Sequence, residues 1–191
     1  MPLISTRAAA SVRAFGFTGG SAPSDYELIA TTFGTGSSSS IVFNSVPSTY
    51  KHLELRIAAR TSRALDLDGL NIRLNNDSGS NYASHRLRGD GSTVYSENGT
   101  GTSGWIGFVT GNTAAAGNHG AAIVQVLDYA NTNKNKTTQS LSGEHATNFA
   151  WLGLFSNVWL STSAVTSVSV HADSGSNFLS TTRVSLYGIR G

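Results

Sequence analysis

The chain of 191 residues has no cysteine, which excludes disulfides and thiolate metal sites and leaves a reducing or an oxidising compartment equally suitable. Charge is scarce as well. Asp, Glu, Lys and Arg make up 13% of the residues, about half the usual share. A formal charge of +2 carried by scattered Lys and Arg is too weak a footprint for a nucleic-acid binder. Long apolar runs are missing too. Nothing approaches the ~18 residues of a membrane-spanning helix, and the N-terminal "MPLISTRAAASVRAFGFTGGSAPS" lacks the apolar stretch of about 7 to 15 residues that a secretory signal needs. The expectation is a soluble protein with no export signal and no membrane insertion.

Catalytic and metal-binding signatures are equally sparse. No GxSxG elbow accompanies the many serines. Glycoside hydrolysis needs two carboxylates facing one bond, whereas Glu54, Glu97, Asp128 and Glu144 stand isolated and read as solvated or turn-bonding side chains. His52, His85, His119, His145 and His171 fall on five different predicted strands or strand ends without HxH or HxxxH spacing, so the sequence gives no zinc site. "LDLDGLN" and the string DSGSN offer oxygen ligands, but without the acids of an EF-hand loop. The expectation is a non-enzyme with no cofactor and no metal.

What is abundant is Gly (21 residues), Ser, Thr and Asn, a mixture suited to strands and tight turns. The length fits one domain able to bury roughly 70% of the surface of its unfolded form. In "TYKHLELRIAAR", Leu53, Leu55 and Ile57 alternate with His52, Glu54 and Arg56, the pattern of a half-buried antiparallel strand. Similar segments are "YELIATTF", "SSIVFN", "LNIRLN", "NYASHRLRG", "SGWIGFVT", "AAIVQVLDYA", "TTQSLSGEH", "WLGLFSNVWLS", "VTSVSVHA" and "RVSLYGI". About ten short strands separated by turn signals predict an all-β fold, an antiparallel β-sandwich with jelly-roll topology, a barrel being the alternative. Trp151 and Trp159, eight apart in one predicted strand, share a face with Phe149 and Phe155 and read as core. Tyr82, Tyr95 and Tyr129, near predicted strand ends, are expected to be exposed and are the candidate glycan contacts; segments 88–102 and 111–119 are the expected rim loops.

DSGSN occurs twice, from Asp77 and from Asp173, followed by Tyr82 and Phe178. Asp can bond backbone two residues on, Gly supplies φ > 0 and Asn tolerates the left-handed region, so both copies read as hairpin turns rather than ligand loops. Residues 1–22 differ from the rest: two arginines, no acid, and the breaker run "TGGSAPS". Leu3, Ile4, Arg7, Val12, Arg13, Phe15 and Phe17 suit an attachment arm that docks on a partner, leaving residues 23–191 as the sandwich domain.

"ISTRAAASVRAFGFT", "IVFNSVPSTYKHLELRIAARTS", "LNIRLNNDSGSNYASHRLRGDGS", "VQVLDYANTNKNKT", "GLFSNVWLSTSAVTSVSV" and "RVSLYGIRG" together resemble small virion proteins of tailed bacteriophages of the tail-fibre or head-fibre kind. The resemblance implies a structural component of a phage particle, assembled in the host cytoplasm. An N-terminal arm would anchor it to other virion proteins, and an outward-facing sandwich would make host-surface contact. A tail fibre or baseplate-associated homotrimer is the expectation, since fibres close around an axis by repeating one interface. A capsid decoration or cement protein and a carbohydrate-binding module are the alternatives.

Overall fold

The computed structural model describes residues 25–146 and 150–191. Leu3, Ile4, Arg7, Val12, Arg13, Phe15 and Phe17 of the expected arm, and Phe149, lie outside the described residues. Among the described residues twelve strands form. In the first half these are β1 Tyr26–Phe33, β2 Ser40–Phe43, β3 His52–Ala59, β4 Leu67–Leu74, β5 Tyr82–Gly89 and β6 Val94–Gly101. In the second half they are β7 Gly104–Thr110, β8 Gly120–Leu127, β9 Lys136–His145, β10 Ala150–Trp159, β11 Val168–Ala172 and β12 Arg183–Ile189. An eight-stranded sheet, ordered β1-β12-β3-β8-β9-β10-β5-β6, faces a four-stranded sheet, ordered β2-β11-β4-β7, and every strand pair is antiparallel. This is the all-β, jelly-roll-type sandwich that the alternating pattern predicts.

Where the sheets overlap squarely, alternation works as expected. Leu53, Leu55 and Ile57 of β3, Val124 and Val126 of β8, and Val184 and Leu186 of β12 face Ile41, Phe43, Leu70, Ile72, Leu74, Val168 and Val170 of the smaller sheet, all buried. Each such side chain contributes roughly 1.5–3 kcal/mol by leaving water.

Segment 88–102 departs from expectation: most of it is strand, not rim loop. "VYSENGTG" carries two glycines and few apolar groups, yet β6 needs no buried face of its own. It is an edge strand held in register along all of β5, from Tyr82↔Gly101 to Gly89↔Val94. Gly99 lets it lie flat under Trp105, where a Cβ would come 2.8 Å from the ring.

The region around β7 inverts the usual pattern. This strand is the edge of the smaller sheet and crosses over β9 and β10, and polar side chains on their inner face satisfy its outer row of backbone groups. Ser140 Oγ donates to the Ile106 carbonyl at 2.8 Å, Phe108 N–H donates to Ser142 Oγ at 3.1 Å, and Asn157 Nδ2 donates to the Trp105 carbonyl at 2.8 Å. Contact is close enough that a Cβ on Gly107 would sit 2.7 Å from Ser142 Cβ. Because Ser and Asn occupy inward positions here, the leucines of β9 and β10 point outward, and on β5 Leu87 points outward while Arg86 and Arg88 point inward.

The two DSGSN strings are not hairpins. Each carries the chain from the smaller sheet to the larger, from β4 to β5 and from β11 to β12. The expected turn chemistry holds in the first copy, where Asp77 accepts from Gly79 N–H at 2.8 Å and Asn81 Nδ2 at 2.9 Å. Its left-handed residues, however, are Asn75 and Asn76 rather than Gly79. In the second copy Gly175 has φ 73°, and Ser174 rather than Asp173 does the bonding, donating to Asp68 at 2.7 Å. Each crossing ends by placing its aromatic, Tyr82 or Phe178, in the core.

Candidate functional site

Tyr82, Tyr95 and Tyr129 are expected at the surface, and the structure overturns this for two of them: Tyr82 is 1% and Tyr129 0% exposed. The Tyr82 hydroxyl accepts from Leu74 N–H at 3.0 Å, which ties the β4–β5 crossing to the core, and burial pushes its pKa up to about 12. The Tyr129 hydroxyl donates to the Pro47 carbonyl, and burial raises its pKa too. A phenol that satisfies its one polar atom inside the protein can be a core residue even at a strand end. Only Tyr95 remains partly exposed.

Tyr95 belongs to a cluster where β5 and β6 run past the β7 edge, so that their inner face is not covered by the smaller sheet. Its ring centroid lies 5.7 Å from that of Trp151, and Phe108 lies 5.8 Å from Trp151 on another side. The Arg88 guanidinium sits 4.1 Å from the Trp151 centroid and 4.4 Å from that of Tyr95; Arg86 sits 4.3 Å from Trp105. Glu97 on β6, directly across from Arg86, receives Nε of both arginines at 2.7 Å. These charge-assisted bonds, that from Arg88 foremost, lower the Glu97 pKa to about 2. The inward arginines therefore have a rigid anion and aromatic faces to lie against, which offsets their partial burial.

Two recesses flank segment 63–67 beside this cluster. One, of about 550 Å³, lies between Arg63, Leu65, Asp66, Thr113 and Trp151. The other, of about 230 Å³, lies between Arg63, Asn71, Arg86, Arg88, Trp105 and Asp173. Arg63 and Leu67 line both, so the two read as one groove. Its polar members are held in place: Asn71 Nδ2 donates to Asp173 at 2.6 Å, Thr113 Oγ1 to Asp66 at 2.5 Å, and Arg63 Nη1 to the Leu67 carbonyl at 3.1 Å. Arg86 is held through its Nε on Glu97, and Arg63 through its Nη1 on the Leu67 carbonyl and Asp68. Trp105 and Trp151 are half-buried, with ring surface at the groove. The second expected rim, 111–119, is a loop beside it, pinned from below by the Arg60 guanidinium, which donates to the carbonyls of Asn112, Ala114, Ala115 and Asn118.

The acids singled out in the sequence are not simply solvated. Glu54 is buried and bonded to Arg56 at 3.0 Å and to the Tyr26 hydroxyl at 3.3 Å. Asp128 pairs with Lys51 and Lys134. Glu144, paired across strands with Trp151, is 6% exposed, and among the described residues neither carboxylate oxygen has a hydrogen-bond partner of good geometry. Burial, with the nearby Asp66 charge adding to it, pushes its pKa up to about 7; approaches by the Trp151 and Ala146 backbone N–H groups offset only part of this. Among the described residues no three side chains of metal-ligating type converge.

The sequence points to Tyr95 alone: Trp151, expected in the core, is half-buried in this cluster instead, and Arg63, Asn71, Arg86, Arg88, Trp105 and Asp173 are neighbours that the pattern does not reveal. The readable signal was "RLR" on β5, where alternation admits either arginines or leucine inside. Comparison with known proteins adds little. No family model and no curated protein matches the chain. Among solved structures, a galectin of Caenorhabditis elegans is similar at 10% identity and TM-score 0.32, covering 84% of this chain and 96% of that one. A non-specific endo-β-1,3(4)-glucanase of glycoside hydrolase family 16 is similar at 8% identity and TM-score 0.15, covering 90% of this chain and 94% of that one. Likenesses this slight assign no activity, and the groove is read from its own side chains.

Proposed function

We propose that the protein is a non-catalytic structural subunit of a bacteriophage particle whose sandwich holds a host-surface glycan in the groove flanking residues 63–67. The observation that carries the binding part is the meeting of two half-buried indoles with fixed polar groups. A pyranose presents apolar C–H faces and a rim of hydroxyls, so Trp105 and Trp151 match the first while Arg63, Asn71, Asp66 and Asp173 match the second. The guanidinium groups of Arg63 and Arg86, both lining the groove, favour a sugar bearing a carboxylate. The phage setting rests on the resemblance of the sequence segments. Binding rather than hydrolysis is favoured because the acid with the raised pKa, Glu144, has both oxygens shut away from solvent.

Calorimetric titration with fragments of host envelope polysaccharide, neutral and uronic-acid-containing, tests the binding. Wild-type protein is expected to prefer the acidic fragments, and Trp151→Ala and Arg86→Gln to weaken them about tenfold or more, roughly 1.4 kcal/mol, with melting profiles kept cooperative. Absence of binding to both fragment sets would overturn the groove reading, and new reducing ends in the mixture would overturn the non-catalytic one. Labelled antibody on intact virions should mark the tail; label spread over the head would make the protein a decoration protein instead.

A further inference from the structure

The two recesses of the groove share Arg63 and Leu67 and differ in every other residue that lines them. Arg63, with Asp68 bonded to it, is common to both and does not tell them apart. To the smaller recess β5 adds Arg86 and Arg88, so three guanidinium groups meet one carboxylate at its wall, that of Asp173, which already accepts from Asn71. Glu97 accepts from Nε of Arg86 and Arg88, and from Nη2 of Arg88, without lining the recess. It therefore orients both side chains from the β6 side, while a ligand meets guanidinium. The larger recess adds no further cation. Its own charge is Asp66, and its apolar walls are the Trp151 indole and Leu65, which is 55% exposed.

We propose that the two recesses are unlike subsites: the smaller takes a sugar unit bearing a carboxylate and the larger an uncharged unit, so the ligand joins acidic and neutral sugars instead of repeating either. The division presupposes that the groove holds a glycan. Charge assigns the units. A carboxylate in the smaller recess meets planar guanidinium donors that match its geometry. In the larger recess it would face Asp66, which repels a second carboxylate but accepts from sugar hydroxyls. An uncharged ring there lays its C–H face on Trp151 and Leu65. Size agrees, since about 230 Å³ is below the range of about 300–1,000 Å³ usual for a whole ligand and suits a single unit, whereas about 550 Å³ falls inside it. The linkage between the units lies across Arg63 and Leu67, the residues common to both recesses. Because the subsites differ, they also fix the direction in which the chain lies.

Calorimetric titration of the full chain tests this with disaccharide fragments of host envelope polysaccharide, separated by charge into pools bearing no carboxylate, one, or two. Wild type is expected to bind the one-carboxylate pool about tenfold more tightly than either other pool. The variants should each close a different gap. Asp66→Asn should bring the two-carboxylate pool close to the one-carboxylate pool, because it removes the repelling charge. Arg86→Gln should instead bring the one-carboxylate pool close to the neutral one. A wild type that binds the two-carboxylate or the neutral pool as tightly as the one-carboxylate pool, or an Asp66→Asn protein in which the first gap persists, overturns the division while the groove reading stands. No binding of any pool overturns both. If Asp66→Asn fails to fold, the wild-type ranking of the three pools decides.

Discussion

Glu144 shows how a single misplaced polar group can set a pH dependence. Its folded pKa of about 7 lies well above the ordinary value of 4.5, so the folded state prefers the protonated acid. The stability this contributes is fully present below about pH 4.5 and is lost as pH rises through 7, because ionising a buried carboxyl near the Asp66 charge costs free energy. Thermal melts of wild type are therefore expected to fall between pH 5 and pH 9 by the equivalent of about 1–3 kcal/mol, and Glu144→Gln should flatten that fall. A wild-type profile level across that range, or a Glu144→Gln profile as steep as wild type, would show that the carboxyl finds a partner when ionised. Glu97 behaves oppositely. Held near pKa 2 by Arg88 and Arg86, it stays ionised throughout that range and keeps the groove's charge constant.

At the scale of elements, the repeated DSGSN string turns out to be two crossings between sheets rather than two hairpins. Its first aspartate does more than turn the chain: Asp77 also accepts from Trp159 Nε1 at 2.6 Å, and this bond, with those from Asn81 and Gly79, lowers its pKa. Asp77→Ala should cost about 1–3 kcal/mol, since it leaves a mostly buried indole N–H unpaired, measured as a drop in the urea midpoint at unchanged slope. Asp173→Ala should cost less, because the Asp173 carboxylate accepts from the partly buried Asn71 amide while its backbone bond to Gly69 is kept, and the turn is secured by Ser174 on Asp68. A calcium-dependent rise in melting temperature that Asp77→Ala abolishes would restore the ligand reading. Most strands were legible because alternation is a direct record of one face buried. β6 was not, since an edge strand needs only backbone pairing, and neither was the groove. Arg86 and Arg88 look like solvent-facing partners of a buried Leu87 until β7 is seen to impose a polar inner surface on β9 and β10. Pattern gives the period of a strand; which parity faces inward depends on what lies opposite.

For the whole molecule, the described pairings form a closed set. β1 begins at Tyr26, pairs with β12 from Tyr26↔Ile189, and is finished by Arg190 N–H donating to the Asp25 carbonyl and by an ion pair from Arg190 to Glu27 at 2.5 Å. Among the described residues the core cluster starts at Ile41, with Ile29 and Ala30 packed against it, and draws on none before Ile29. Removing residues 1–20 should therefore leave a sandwich whose cooperative melt lies within a few degrees of the intact chain, a change below about 1 kcal/mol for a domain of this size. If those residues are the attachment arm that their apolar and basic composition predicts, the same truncation should abolish incorporation into particles, scored by antibody on purified virions. A large fall in melting temperature would mean that the N-terminal residues complete the core and that the division at residue 22 is misplaced. Full incorporation of the truncated chain would move attachment to the sandwich itself, with the outer face of the eight-stranded sheet the first surface to mutate.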